Sequence, residues 1–261
     1  MINFCNAKIK EIYFNGSKLD NVYFNGIPVF SNNVLITYAS NGLTTGIILD
    51  LSSYDDDNKR LILKNKIKEI NDNNSNVTIK LEGTYTGTSL NRVFVGLDNI
   101  VEIDLSDFTT PNLTNMTGLF SHCSGLTKVN LSNLNTNNVT SMGLMFFNCS
   151  NLTNIIGLDS INTSKVTSMD NMFYLCSGLN SLNLTNFDTS NVTAMPNMFF
   201  QCTGLNSLNL TSFNTSKVTD MSNIFRNCSN LTYISVSNKW VTTESSTEMF
   251  TNCGTDHVTV V

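Results

Sequence analysis

From Ile100 onward the apolar positions repeat about every 26 residues. Each unit opens on the spacing L-x-x-L-x-L: Leu126, Val129 and Leu131; Leu179, Leu182 and Leu184; Leu205, Leu208 and Leu210; Leu231, Ile234 and Val236. An earlier copy runs Ile100, Ile103 and Leu105. The alternation that ends each triplet predicts a short, half-buried strand. The second half of the unit reads V-T-x-M-x-x-M-F-x-x-C, as in Val218, Met221, Ile224, Phe225 and Cys228. Offsets of 0, 3, 6, 7 and 10 trace one face of a helix. Thr215 and Ser216 lie just ahead, where hydroxyls cap free backbone N–H groups. The unit therefore reads as strand, turn, a helix of about two to three turns, and loop.

Six cysteines mark the period: Cys123, Cys149, Cys176, Cys202, Cys228 and Cys253, at spacings of 26, 27, 26, 26 and 25. A phenylalanine precedes each by three residues: Phe120, Phe146, Phe173, Phe199, Phe225 and Phe250. Fixed self-similarity at this length marks a solenoid, since one unit cannot bury its apolar face alone. Strand signatures begin at Ile100, Leu126, Leu152, Leu179, Leu205 and Leu231. The third copy carries one extra residue within Ile155-Ile156-Gly157-Leu158, read as a small bulge. The last copy is degenerate around Trp240, Val241 and Glu244 to Thr247, as a terminal repeat should be.

The run NLTNFDTSNVTAMPNMFFQCTGLNSLNL, Asn183 to Leu210, resembles the BspA-like leucine-rich repeat of bacterial surface proteins, and the likeness extends over roughly Ile100 to Cys253. The resemblance implies a leucine-rich-repeat-like α/β solenoid, one short strand plus one short helix per unit, over residues 100–261. It also implies a non-catalytic binding role at a cell surface. The chain departs from typical members in showing no secretion signal and no wall-anchoring tail.

A different repeat occupies the start. Glu11-Ile12-Tyr13-Phe14-Asn15-Gly16 recurs as Asn21-Val22-Tyr23-Phe24-Asn25-Gly26. Each aromatic run ends in Asn-Gly, a strong hairpin signal, so residues 1–30 read as a β-meander. This pattern is similar to short β-modules at the start of bacteriophage tail and virion proteins. That likeness implies particle attachment through Tyr13, Phe14, Tyr23 and Phe24. Residues 31–99 read as an α/β connector and solenoid cap. Gly46 to Leu51 is its strand, a helix follows the Asp55-Asp56-Asp57 triplet, and Val77 to Leu81 is the capping strand.

Composition narrows the function. Charged residues are 13% of the chain, the net charge is −5, and no Lys/Arg cluster occurs, which disfavours nucleic acid. Forty-one asparagines replace charge on the surface, a bias that either genome composition or function could set. No apolar stretch is long enough to span a membrane, and the start has neither the basic residues nor the apolar run of a signal peptide. Read literally, the chain is made in a cytoplasm and is not exported by the usual route. The periodic cysteines read as a column of buried free thiols, because in-register side chains do not face one another as a disulfide requires. Closely paired cysteines, a Gly-rich phosphate loop and nucleophile motifs are absent, and His122 and His257 sit in irregular end repeats. No catalytic, cofactor or metal residue is assigned, and the chain is expected not to be an enzyme.

The middle residue of each L-x-L strand points away from the core. The expected ligand surface is Lys128, Asn130, Asn183, Asn209 and Tyr233, with Tyr233 its aromatic anchor. Outward strand residues are polar in any case, so each position has that plainer reading too. The favoured function is a bacteriophage virion protein of tail or head-fibre type, assembled in the host cytoplasm. It would bind other virion proteins through its start and a host-surface protein or glycan through the solenoid. The alternatives are a bacterial cell-surface adhesin and an intracellular protein-binding scaffold. Homo-oligomerisation stays open.

Overall fold

The computed structural model describes residues 77–242, 246 and 248–261, together with the backbone of six strands ahead of them. Strand β1 (Ile12–Phe14) pairs antiparallel with β2 (Ser17–Leu19), and β3 (Tyr23–Phe24) with β4 (Ile27–Pro28). Strand β5 (Asn33–Ser40) lies between β6 (Leu43–Asp50) and β7 (Val77–Thr84), antiparallel to both. The helix expected after Asp55 falls outside the described residues.

From β7 onward every pairing is parallel. Strands β7, β8 (Ile100–Thr109), β9 (Lys128–Asn130) and β10 (Asn154–Ile156) stack in order, with Ile79 beside Ile103, Ile103 beside Val129, and Val129 beside Ile155. A second sheet holds β11 (Ser207–Leu210), β12 (Tyr233–Val236) and β13 (Thr259–Val260). Leu208 and Leu210 are buried while Ser207 and Asn209 are exposed, the period-2 alternation expected of a strand with one face on a core.

The second half of each unit is not a helix, which corrects the expected strand-plus-helix repeat. This is a parallel β-solenoid. Its one named helical element among the described residues is a 3-10 turn at Leu158–Ser160. The reason lies in where the backbone N–H groups point. Those of Met116, Gly118, Phe120 and His122 donate across to Ser141, Gly143, Met145 and Phe147 of the next rung at 2.7–3.0 Å. The alternate ones, on Leu119, Ser121 and Cys123, reach three residues back. An α-helix would send all of them four residues back along its own segment. The backbone also turns left-handed every fourth residue, at Leu144 and Asn148, Asn171 and Leu175, Asn197 and Gln201, Asn223 and Asn227. A single such residue stops a right-handed helix. Successive three-residue turns return to the same side of the chain at three- and four-residue steps, so their burial pattern mimics that of a helix. Val139, Met142, Met145, Phe146 and Cys149 are all buried, on the inner side of the rung.

The core is a set of columns. Phe94, Phe120, Phe146, Phe173, Phe199, Phe225 and Phe250 stack with ring centroids 5.3–5.9 Å apart. Beyond the area they bury, such aromatic pairs contribute about 0.5–1.5 kcal/mol each. The stack starts one rung before the cysteines do, because Leu97 holds the place that Cys123 and its successors take later. Each thiol bridges rungs: Cys149 donates to Phe120 O, Cys176 to Phe146 O and Cys202 to Phe173 O, all at 3.0 Å.

A buried threonine column does the same in polar form. Thr163 Oγ1 donates to Asp188 O at 2.9 Å and accepts from Asp188 N at 2.8 Å, and Thr189 and Thr215 repeat the arrangement with Asn214 and Val241. These backbone groups sit at rung corners, where no strand partner reaches them, so the hydroxyl replaces a ladder bond.

Candidate recognition surface

The outward residues of the two sheets form the surface that the sequence singles out. Lys128 and Asn130 lie on β9, where Lys128 is in register with Glu102 of β8 and pairs with it at 2.6 Å. The hydrogen bond and charge of Glu102 raise the Lys128 ammonium above its ordinary 10.5. Asn209 lies on β11 and Tyr233 on β12, and Tyr233 is 47% exposed beside Ser207. Asn183 belongs to neither sheet, since Ser181–Asn183 is not a strand. The five residues therefore fall into two groups with Asn183 between them.

The asparagines have local work. Asn130 Oδ1 accepts from the N–H and hydroxyl of Ser132, Asn183 Oδ1 from those of Thr185, and Asn209 Oδ1 from those of Thr211. Asp104 makes the same turn with the Ser106 N–H. These are Asx turns, which fold the chain at the end of each strand. Their oxygens are thus spent inside the rung, and only the amide N–H groups are left for a ligand. Tyr233, Asn183 and Asn209 are exposed, whereas Lys128 and Asn130 are half-buried.

Sequence reasoning missed an outward aromatic stack. Phe147, Tyr174 and Phe200 follow the core phenylalanines directly and stack at 4.7 and 4.6 Å, with His122 tilted against Phe147 at 5.0 Å. The doublets Phe146-Phe147, Phe173-Tyr174 and Phe199-Phe200 were the available signal. Stacking covers both faces of Tyr174 and one face each of Phe147 and Phe200. A shallow groove of about 250 Å³ lies between Ser132–Asn137 and Ser160. Two of its asparagines are also engaged: Asn135 Oδ1 accepts from Asn137 N and Asn137 Oδ1 from Asn162 Nδ2.

Burial pushes the Cys123 and Cys228 thiols up to about 12 and holds those of Cys149, Cys176 and Cys202 well above the ordinary 9.0. Among the described residues no group of three or more His, Cys, Asp or Glu side chains could hold a metal ion, and no helix is long and apolar enough to cross a membrane. The side chains of Tyr13, Phe14, Tyr23 and Phe24 lie outside the described structure, although their backbones are in β1 and β3.

The chain matches the family described as Mycoplasma protein of unknown function, DUF285, over residues 65–157, 88–181 and 147–258. Those overlapping stretches together span residues 65–258. No curated protein and no solved structure matches the chain.

Proposed function

The chain belongs to the DUF285 family, a BspA-like repeat family, and we propose that it is a non-catalytic recognition protein displayed at a bacterial surface, binding a protein partner along its solenoid. The observation that carries this reading is the division of labour within each rung. Threonine hydroxyls and thiols are consumed in holding rung to rung, asparagine oxygens in turning the chain within each rung, and what remains is a long outward face of repeated polar and aromatic positions. Such a surface suits an extended macromolecular contact rather than a small substrate. Buried thiols kept protonated are poor nucleophiles, which favours binding over catalysis. Stacking that occupies both faces of Tyr174 favours a protein over a glycan, because sugar stacking uses free ring faces.

The virion reading takes its phage likeness from the first 30 residues. The family match begins at residue 65 and lends that reading no support. The two readings separate in one experiment: protease treatment of intact producing cells, followed by fractionation and blotting for the chain. Surface display predicts loss of the protein from intact cells and its recovery with the envelope. Recovery only in the cell interior, or only in phage particles, overturns it. For binding, Tyr233→Ala combined with Lys128→Ala is expected to weaken capture of the purified chain on cell-surface protein extracts by about tenfold or more, the size of a single hot-spot loss.

A further inference from the structure

Among the described residues, the sheet face of the solenoid is interrupted once. The sheet face stops at β10 and resumes at β11, and the rung between them, Ser181–Asn183, is not a strand. Among the described residues no backbone hydrogen bond joins Ser181–Asn183 to Asn154–Ile156 on one side or to Ser207–Asn209 on the other. Elsewhere the same two rungs are held. The bridges Ser141 to Ser168 to Ala194 run through unbroken. Phe146, Phe173 and Phe199 stay stacked at 5.5 and 5.8 Å, and Thr163 still clasps Asp188.

The break lies one rung after the unit that carries an extra residue. Leu-x-x-Leu at the corner is kept as Leu131 and Leu134, Leu158 and Ile161, Leu184 and Phe187, so the extra residue is Gly157. Gly157 sits at φ 78, and a Cβ there would come within 2.7 Å of Ser132 Cα and N. The neighbouring Ile156 takes the place of Asn130, Asn183 and Asn209, so this corner has no Asx turn, and a 3-10 turn at Leu158–Ser160 replaces it. Ile156 is left 37% exposed at the sheet edge.

We propose that Ser181–Asn183 is a seam at which the solenoid opens and closes along its sheet face. The aromatic stack and the Ser141–Ser168–Ala194 bridges serve as the spine of the movement, and Gly157 is the residue that creates the seam. Backbone groups without ladder partners open at low cost, whereas paired rungs open only with the core. The seam divides the outward surface between Lys128 and Asn130 on one side and Asn209 and Tyr233 on the other, so its opening changes their separation.

Hydrogen exchange on the full chain, read by mass spectrometry of peptides, tests this. Amides of 181–184 are expected to exchange on the order of 100-fold faster than those of 128–131 and 233–236. Deletion of Gly157, which restores the 26-residue spacing, should slow exchange at 181–184 to the level of the other rungs. Insertion of a glycine between Asn209 and Leu210 should create a second fast-exchanging stretch at 233–236. Equal protection of 181–184 in the unaltered chain overturns the proposal, as does unchanged exchange in a folded deletion variant. If the deletion variant does not fold, the insertion decides alone, and slow exchange at 233–236 in it counts against the seam.

Discussion

Thr189 is wholly buried, and its one hydroxyl satisfies two backbone groups of the next rung, Asn214 O at 2.9 Å and Asn214 N at 2.7 Å. Thr189→Val keeps the shape and strands both groups. It is expected to cost about 2–3 kcal/mol, while Thr189→Ser recovers most of that, as read from urea denaturation midpoints. The thiols give a pH dependence with a definite sign. Unfolding returns a thiol to its ordinary 9.0, whereas Cys123 and Cys228 hold their protons to about 12 when folded. The folded chain thus binds more protons between those values, so stability is whole below pH 9.0 and falls as pH rises toward 12. Each such thiol contributes a slope of about 1.4 kcal/mol per pH unit in that window. Denaturation midpoints measured from neutral to strongly alkaline pH should therefore drop above pH 9, and more shallowly in Cys123→Ala. The asparagine, serine and threonine bias, open to a genomic reading from sequence alone, has this architectural use at least: Asx turns at the corners and threonine clasps between rungs.

At the scale of the element, most strands were legible because period-2 burial has few imitators: Leu208 and Leu210 point inward as their spacing predicts, whereas the strand expected after Leu179 is absent at Ser181–Asn183. The turn-built half was not. Its apolar residues were identified correctly as the inner face, but Val218, Met221, Ile224, Phe225 and Cys228 return to one side through tight turns as readily as through a helix. What separates the two is the left-handed backbone every fourth residue, and the sequence does carry a trace of it. Among the described residues, six of the twelve non-glycine residues with positive φ are asparagine, a side chain enriched in this region. The exceptions are informative. Leu175 holds φ 61 in a column where Asn148 and Asn227 hold 58 and 61. Leu175→Asn is expected to relieve strain and stabilise the chain by about 1 kcal/mol, visible as a raised thermal midpoint. Of the expected ligand surface, the outward direction was readable, but the division at Asn183 was not, because it depends on how one inserted glycine shifts a neighbouring rung.

For the whole molecule, stability is nearest-neighbour: each rung touches only the rungs beside it. Phe173 has a stacked ring on both sides and Phe94 on one. Phe173→Ala is therefore expected to cost about 3–5 kcal/mol and to split unfolding into two transitions, while Phe94→Ala costs less and leaves the later rungs cooperative, as followed by calorimetry. The account rests on rungs bonded across the stack rather than along a helix. Backbone NMR assignment of Val192–Cys202 tests this most directly. The account predicts carbon shifts interrupted at Asn197 and Gln201 by left-handed values, with amide bonds from Met195, Asn197 and Phe199 to the following rung. An unbroken run of helical shifts across that segment would contradict it.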